Sequence, residues 1–155
     1  MSNDQASLAT NFGAFIQAMA GVGADWQVGV ITTSSRLLRG PIITSGLNAA
    51  SQFSTQVSVG TGGLPFEEGI ERAYEATQPG ADAGPGSPNG FPRTGAMLSI
   101  LFVSDQVDPT DTSTPVLTHN YRVALKGGIP GKLVVNGIIT MLPNDGCGTS
   151  RTARA

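Results

Sequence analysis

The chain has 155 residues, enough for one domain with a core of moderate size. Its net charge of −2, with nine lysines and arginines spread along the chain, excludes the clustered positive surface that nucleic-acid binding requires. No apolar run reaches the ~20 residues of a membrane-spanning helix, and the first residues lack the basic and apolar segments of a signal peptide.

The chain begins with a pattern that is typical of an amphipathic helix. Apolar residues recur at helical spacing and share one face: Leu8, Phe12, Phe15, Ile16 and Met19. Ser2 or Asn3 suits the N-cap, and Gly21 and Gly23 are expected to end the helix. An apolar face of this size predicts that the helix packs on a sheet.

Two extended segments and two helices are expected next. Residues 26–33 are β-branched and apolar on both faces, as in a buried strand. Residues 37–44 are interrupted by Gly40-Pro41, which favours an edge strand or an extended loop. Residues 47–59 predict a helix that packs through Leu47, Ala50, Phe53 and Val57. A further helix is expected over residues 65–77, with Pro65 as its first helical residue.

The second half of the chain predicts two more strands. Residues 79–92 are rich in Gly and Pro and predict a surface loop. Residues 97–103 and 133–141 predict strands, and residues 115–126 predict a helix. Alternating strands and helices predict an α/β domain with a mostly parallel sheet. Ligands of such sheets bind at the carboxyl ends of the strands, so the segments after Thr33, before Pro65 and after Val103 are the places to search.

The ordered set of segments resembles a known family. It consists of the first helix, DWQVGVITT, PIIT, VGTGG with EEGIERAYEA, GFPR, and LSILFVSDQVD. In this order and at these separations it is similar to von Willebrand factor A-type domains (VWFA), especially the bacterial exported kind, over residues 2–140. The resemblance implies a doubly wound α/β fold with helices on both faces of the sheet, and a VWFA-like domain over residues 1–142. Residues 143–155 are expected to form an irregular tail.

The family also implies a metal site. Its metal ion-dependent adhesion site binds Mg²⁺ or Mn²⁺ through ligands from three loops, and two of these loops match this chain. The matching metal ligands are Thr61 and Asp105. Gly60, Gly62, Ser104 and Asp108 are expected at the periphery of the site. In the family, the open metal position takes a carboxylate from a protein ligand, which implies a binding module and not an enzyme.

The remaining loop of the family pattern is not found in this chain. Family members carry Asp-x-Ser-x-Ser before the first helix, and here Met1 stands where that motif would end. The resemblance therefore implies an incomplete domain without its first central strand, and without the last strand and helix, derived from an exported or envelope-associated parent. With only Thr61 and Asp105 left as ligands, we expect weak or absent metal binding.

Less specific interpretations stay open for several of these residues. Asp105 is also explained as a polar residue that ends a strand, Asp108 as part of a solvated turn, and Thr61 as a helix cap. His119 and Cys147 have no partners at catalytic or ligand spacing, and no phosphate-binding or nucleophile motif is present. The alternative function is that of a structural or non-functional remnant of a VWFA domain.

Overall fold

The computed structural model describes residues 2–60, 62, 68–83, 87–88, 90–93, 95–104, 108 and 132–139. Seven elements lie in this part of the chain: α1 (Ser2–Gly21), β1 (Gln27–Val28), β2 (Ile43–Thr44), α2 (Ala49–Val57), α3 (Gly69–Ala76), β3 (Leu98–Ser104) and β4 (Leu133–Ile139). The helix predicted over residues 115–126 and the tail from residue 143 lie outside the described residues. Among those described, no helix has the length and apolarity of a membrane span.

The strands form two small sheets with different pairing. β3 pairs with β4 in parallel, in a register that runs from Leu98 opposite Leu133 to Ser104 opposite Ile139. A parallel pair requires a crossover connection between its strands, as α/β chains have. β1 and β2 form an antiparallel pair of two residues each. The predicted α/β class is therefore confirmed in its coarse form, whereas the parallel sheet described here has only two strands.

The strand predicted over residues 26–33 is wrong beyond Val28. The carbonyl of Val30 accepts a hydrogen bond from the backbone N–H of Arg39 at 2.8 Å, and Ser35 N–H donates to Thr32 at 3.3 Å. These local bonds satisfy backbone groups that a longer strand would offer to a neighbour. The chain after Val28 thus folds back on itself, although its apolar pattern is that of a strand.

The first core cluster joins α1 to α2 through aromatic rings. The rings of Phe12 and Phe53 are stacked with their centroids 3.7 Å apart, and Trp26 meets Phe12 edge-on at 6.4 Å. Leu8, Ile16 and Met19 pack against this cluster as predicted, whereas Phe15 of the same predicted face is exposed. α1 therefore packs mainly on another helix, where a sheet was expected.

The packing face predicted for α2 is partly wrong. Phe53 and Val57 are buried as predicted, but Leu47 is fully exposed and Ala50 is exposed as well. The helix begins at Ala49, and its buried face contains Ala49, Phe53, Gln56 and Val57. This face follows the i, i+4, i+8 spacing of one helix side, and Leu47 precedes the helix.

The second core cluster joins α3 to the parallel sheet. Ala73 of α3 and Leu98 of β3 are buried at its centre, and the partly buried residues around them are Ile31, Ile70, Tyr74, Phe91, Ile100, Phe102 and Leu133. Val30 packs on the first cluster and Ile31 on the second. The segment after β1 therefore connects the two halves of the core.

Candidate functional site

Side chains from two distant parts of the chain meet at the first residue of α3. Gly69 is buried, and a Cβ placed there would lie 3.4 Å from both Thr33 Cγ2 and Phe102 Cδ1 and 3.6 Å from Asp108 Oδ2. Thr33 follows the β1 segment, Phe102 belongs to β3, and Asp108 lies in the loop after β3. The carboxyl end of β3 and the start of α3 thus form one edge of the fold.

Asp108 supplies the acceptor that the start of α3 needs. Its Oδ2 accepts a hydrogen bond from the backbone N–H of Ile70 at 2.7 Å. The residue before the helix, Glu68, makes no side-chain capping bond. A carboxylate at a helix N-terminus is favoured by the unpaired N–H groups and by the helix dipole. Asp108 therefore caps α3 from a loop that lies 38 residues away in sequence.

Gly60, predicted at the periphery of the site, is held by a side chain of α1. Gln5 Nε2 donates to the Gly60 carbonyl at 2.9 Å, and Gly60 N–H donates to Gln5 Oε1 at 3.2 Å. The φ angle of Gly60 is +73°, in the left-handed region that glycine adopts without steric cost. Gly60 therefore has a left-handed backbone conformation just after α2, and Gln5 holds it there.

Gly60→Ala tests whether this backbone conformation matters. We expect the variant to lose about 1–2 kcal/mol of unfolding free energy, because a Cβ disfavours a left-handed residue. Space does not limit the substitution, since no atom of the described residues, apart from the chain neighbours, lies within 4 Å of the Cβ position. Gly46→Ala is the control, because its Cβ position is equally open and its φ is not in the left-handed region. Equal midpoints for the two variants in urea unfolding would contradict the assignment.

Charged side chains pair on a partly buried face of α3. The guanidinium of Arg72 bonds Glu75 at 2.6 Å and also bonds Glu68. The hydrogen bond with Glu75, and after it the bond with Glu68, raises the pKa of Arg72 above its usual value. A raised pKa favours the charged form of a base in the folded state. The stabilisation from these pairs is therefore present at neutral pH and is lost only at strongly alkaline pH. The two pairs therefore connect Arg72 to one acidic residue just before α3 and to another in its last turn.

The predicted site residues are only partly within the described chain. Ser104 is the last residue of β3, and Gly62 is exposed. Thr61 and Asp105, the two predicted metal ligands, lie outside the described residues. Sequence patterns did not indicate Gln5, because an amide in the first turn of a helix carries no signal for a partner 55 residues away.

A divalent cation does not fit the described side chains alone. Within the described ranges, no group of three or more His, Cys, Asp or Glu residues lies close enough to hold a metal ion. The Asp108 carboxylate already accepts the N–H of Ile70, so one of its oxygens is engaged. Mg²⁺ requires near-octahedral oxygen coordination, with at least one or two carboxylates. A metal at this edge would therefore depend on Thr61, Asp105 or a ligand from another molecule.

A cavity of about 430 Å³ opens elsewhere, at the C-terminal end of α3. Arg36, Leu37, Gln78 and Asp82 are among the residues that line it, and none of the predicted site residues that the structure describes does. The cavity and the edge formed by Gly69 and Asp108 are thus separate features.

The edge at the start of α3 contains the Ile70 N–H, the Asp108 carboxylate that accepts it and the side chain of Thr33. The only His and the only Cys of the chain, His119 and Cys147, lie outside the described residues. Comparisons with protein-family models, with curated proteins and with solved structures found no match to this chain.

Proposed function

We propose that the chain is a non-enzymatic binding module of the VWFA type, with a doubly wound α/β fold. Its ligand-facing edge would be formed by Gly60 and Gly62, the start of α3 and the loop after β3. The observation that carries this proposal is the hydrogen bond from Ile70 N–H to Asp108, which holds Asp108 at the start of α3.

The arrangement of α3 and β3 supports the proposal. β3 is half of a parallel pair and ends at Ser104, and α3 packs on it through Ala73 and Leu98. In open α/β sheets, ligands bind outside the carboxyl ends of the strands. Asp108 and the N-terminus of α3 lie at this end of β3. Binding of a protein ligand there would also require a cation and the two proposed metal ligands, Thr61 and Asp105.

Mg²⁺ or Mn²⁺ would supply the attraction for a carboxylate of the protein ligand. Thr61 and Asp105 are the proposed metal ligands, and both directly adjoin residues at the edges described above, Gly60 and Ser104. One hydroxyl and one carboxylate bind a hard cation weakly, because water occupies the other coordination positions of the metal. We therefore expect the chain to bind metal only at millimolar concentration, and more tightly when a further carboxylate is supplied.

A structural or non-functional remnant is the second candidate. The division of the described strands into two separate two-stranded sheets favours it, because a doubly wound fold needs one continuous sheet. In this case Asp108 would only cap α3, and no metal would bind.

Calorimetry of Mg²⁺ and Mn²⁺ binding distinguishes the two candidates. The chain would be compared with a version that carries an added apolar strand and Asp-x-Ser-x-Ser before Met1. A matched control carries the same strand with Ala in place of the Asp and both Ser residues. In the extended version, Thr61→Val and Asp105→Asn would each test one proposed ligand.

We expect the extended version to bind the metal and the Ala control to bind no better than the chain itself. Each ligand substitution should weaken binding by at least about tenfold, which corresponds to ~1.4 kcal/mol. An extended version that binds no metal would show that Thr61 and Asp105 are wrongly assigned. Binding that survives both substitutions would place the metal elsewhere.

A further inference from the structure

The paired hydrogen bonds between Gln5 and Gly60 join the first turn of α1 to the segment that follows α2. One amide side chain satisfies both backbone groups of Gly60, donating at 2.9 Å and accepting at 3.2 Å. This is the pairing that a neighbouring strand would otherwise provide. Gly60 therefore has a complete set of backbone partners although it lies in no helix or strand.

The two bonds lie on the exposed surface. In water such bonds add little to global stability, because solvent replaces them when they break. The core of α1 and α2 depends instead on the stacked rings of Phe12 and Phe53. The effect of Gln5 is therefore local: it restricts the backbone of Gly60 without determining whether the domain folds.

The rigid packing of α1 and α2 explains how Gln5 reaches Gly60. Gln5 precedes Phe12 in α1, and Gly60 follows Phe53 by the same number of residues. Because Phe12 stacks on Phe53 and Gln5 bonds Gly60, the two helices run antiparallel. On the α2 side, Ser58 N–H and Ser58 Oγ both bond the Ser54 carbonyl, at 3.2 and 2.7 Å. Gly60 is thus fixed from α2 through the chain and from α1 through Gln5.

We propose that Gln5 is a positioning residue, which fixes the Gly60 backbone so that the next residue, Thr61, can bind the ligand. Through this contact, the first turn of α1 is coupled to the bound ligand. The role in binding rests on the proposed function, since it requires Thr61 to face the ligand. By linkage, a ligand that needs the fixed conformation of Gly60 also stabilises the contact with Gln5.

The test uses the full ¹⁵N-labelled chain with Gln5→Ala and Gln5→Glu, and Gln17→Ala as the control from the exposed face of the same helix. Amide hydrogen exchange is measured at Gly60, Gly62, Phe12 and Phe53, and Mn²⁺ is then titrated into each variant. In Gln5→Ala, exchange at Gly60 is expected to be roughly fivefold to tenfold faster, with Phe12 and Phe53 unchanged. Gln5→Glu keeps the acceptor for Gly60 N–H but not the donor, and should have a smaller effect.

Gly60 exchange that is the same in Gln5→Ala as in Gln17→Ala would overturn the proposal. So would faster exchange throughout α1, because Gln5 would then only stabilise its helix. If Mn²⁺ broadens the Gly62 signal of the unmodified chain, Gln5→Ala should require a higher Mn²⁺ concentration for the same broadening. An unchanged Mn²⁺ concentration would also overturn the positioning role. If Mn²⁺ broadens no signal in the unmodified chain, the proposed function fails, and exchange at Gly60 still decides whether Gln5 fixes its backbone.

Discussion

Phe53→Ala is expected to lower the free energy of unfolding by about 3–5 kcal/mol. Phe53 is buried and lies face to face with Phe12, with ring centroids 3.7 Å apart. Its removal loses the burial of a large side chain and leaves a cavity between α1 and α2 that the two helices cannot fill by themselves. Since domains of this size are stable by only ~5–15 kcal/mol, the variant should lose most of its cooperative unfolding transition.

Leu47→Ala is the matched control for this effect. Leu47 is an apolar residue just before the same helix, but it is fully exposed, so we expect a change within about 0.5 kcal/mol. Phe53→Leu keeps most of the apolar volume and should be measurable even if Phe53→Ala does not fold. Urea unfolding of the three variants provides the comparison. A loss in Leu47→Ala as large as that in Phe53→Leu would mean that the core described for α2 is incorrect.

Asp108→Ala is expected to cost about 1.5–3 kcal/mol of unfolding free energy, the usual range for a hydrogen bond to a charged group. The substitution leaves the Ile70 N–H without its acceptor at a half-buried helix start. The damage should be local, because α3 and the loop after β3 are joined there. Amide exchange at Ile70 should therefore accelerate more than exchange at Phe12 or Phe53.

Asp108→Asn is the control for charge at the same position. It retains an oxygen that can accept from Ile70 N–H but loses the favourable charge at the helix N-terminus, so the cost should be smaller, about 0.3–1 kcal/mol. Urea unfolding and exchange of both variants are measured together. Wild-type stability in Asp108→Ala would show that Asp108 does not cap α3, and the observation that carries the proposed function would be lost.

Elements with strong local patterns were predictable from the sequence. The helix Ser2–Gly21 ends where Gly21 was expected to end it, and Gly23 has a φ of +64°. The strands Leu98–Ser104 and Leu133–Ile139 lie within one residue of their predicted starts. In these segments, burial, periodicity and terminating residues all indicate the same structure.

The errors come from places where local patterns conflict with tertiary contacts. Phe53 and Val57 were predicted correctly, but helical periodicity does not show whether Ala50 or Ala49 packs beside them, because both fit the spacing. The apolar run after Trp26 was interpreted as one strand, whereas the backbone bond between Val30 and Arg39 reverses the chain.

The contacts that define the candidate site were not predictable at all. Gln5 with Gly60 and Asp108 with Ile70 span 55 and 38 residues. Each depends on the packing of whole helices, and neither leaves a periodic signal in the sequence. The resemblance indicated the loops on which Gly60 and Asp108 lie, but it did not indicate what these residues contact.

Paramagnetic broadening by Mn²⁺ is the sharpest test of the proposed binding edge, because it detects weak binding and locates it. We propose that Gly60 and Gly62, the start of α3 and the end of β3 face one common ligand. With millimolar Mn²⁺ added to the ¹⁵N-labelled chain, we expect the amide signals of Gly60, Gly62, Ile70 and Ser104 to broaden together, and excess Mg²⁺ to restore them. Broadening that appears first around Asp25 or Asp82, or none at any concentration that keeps the chain folded, would contradict it.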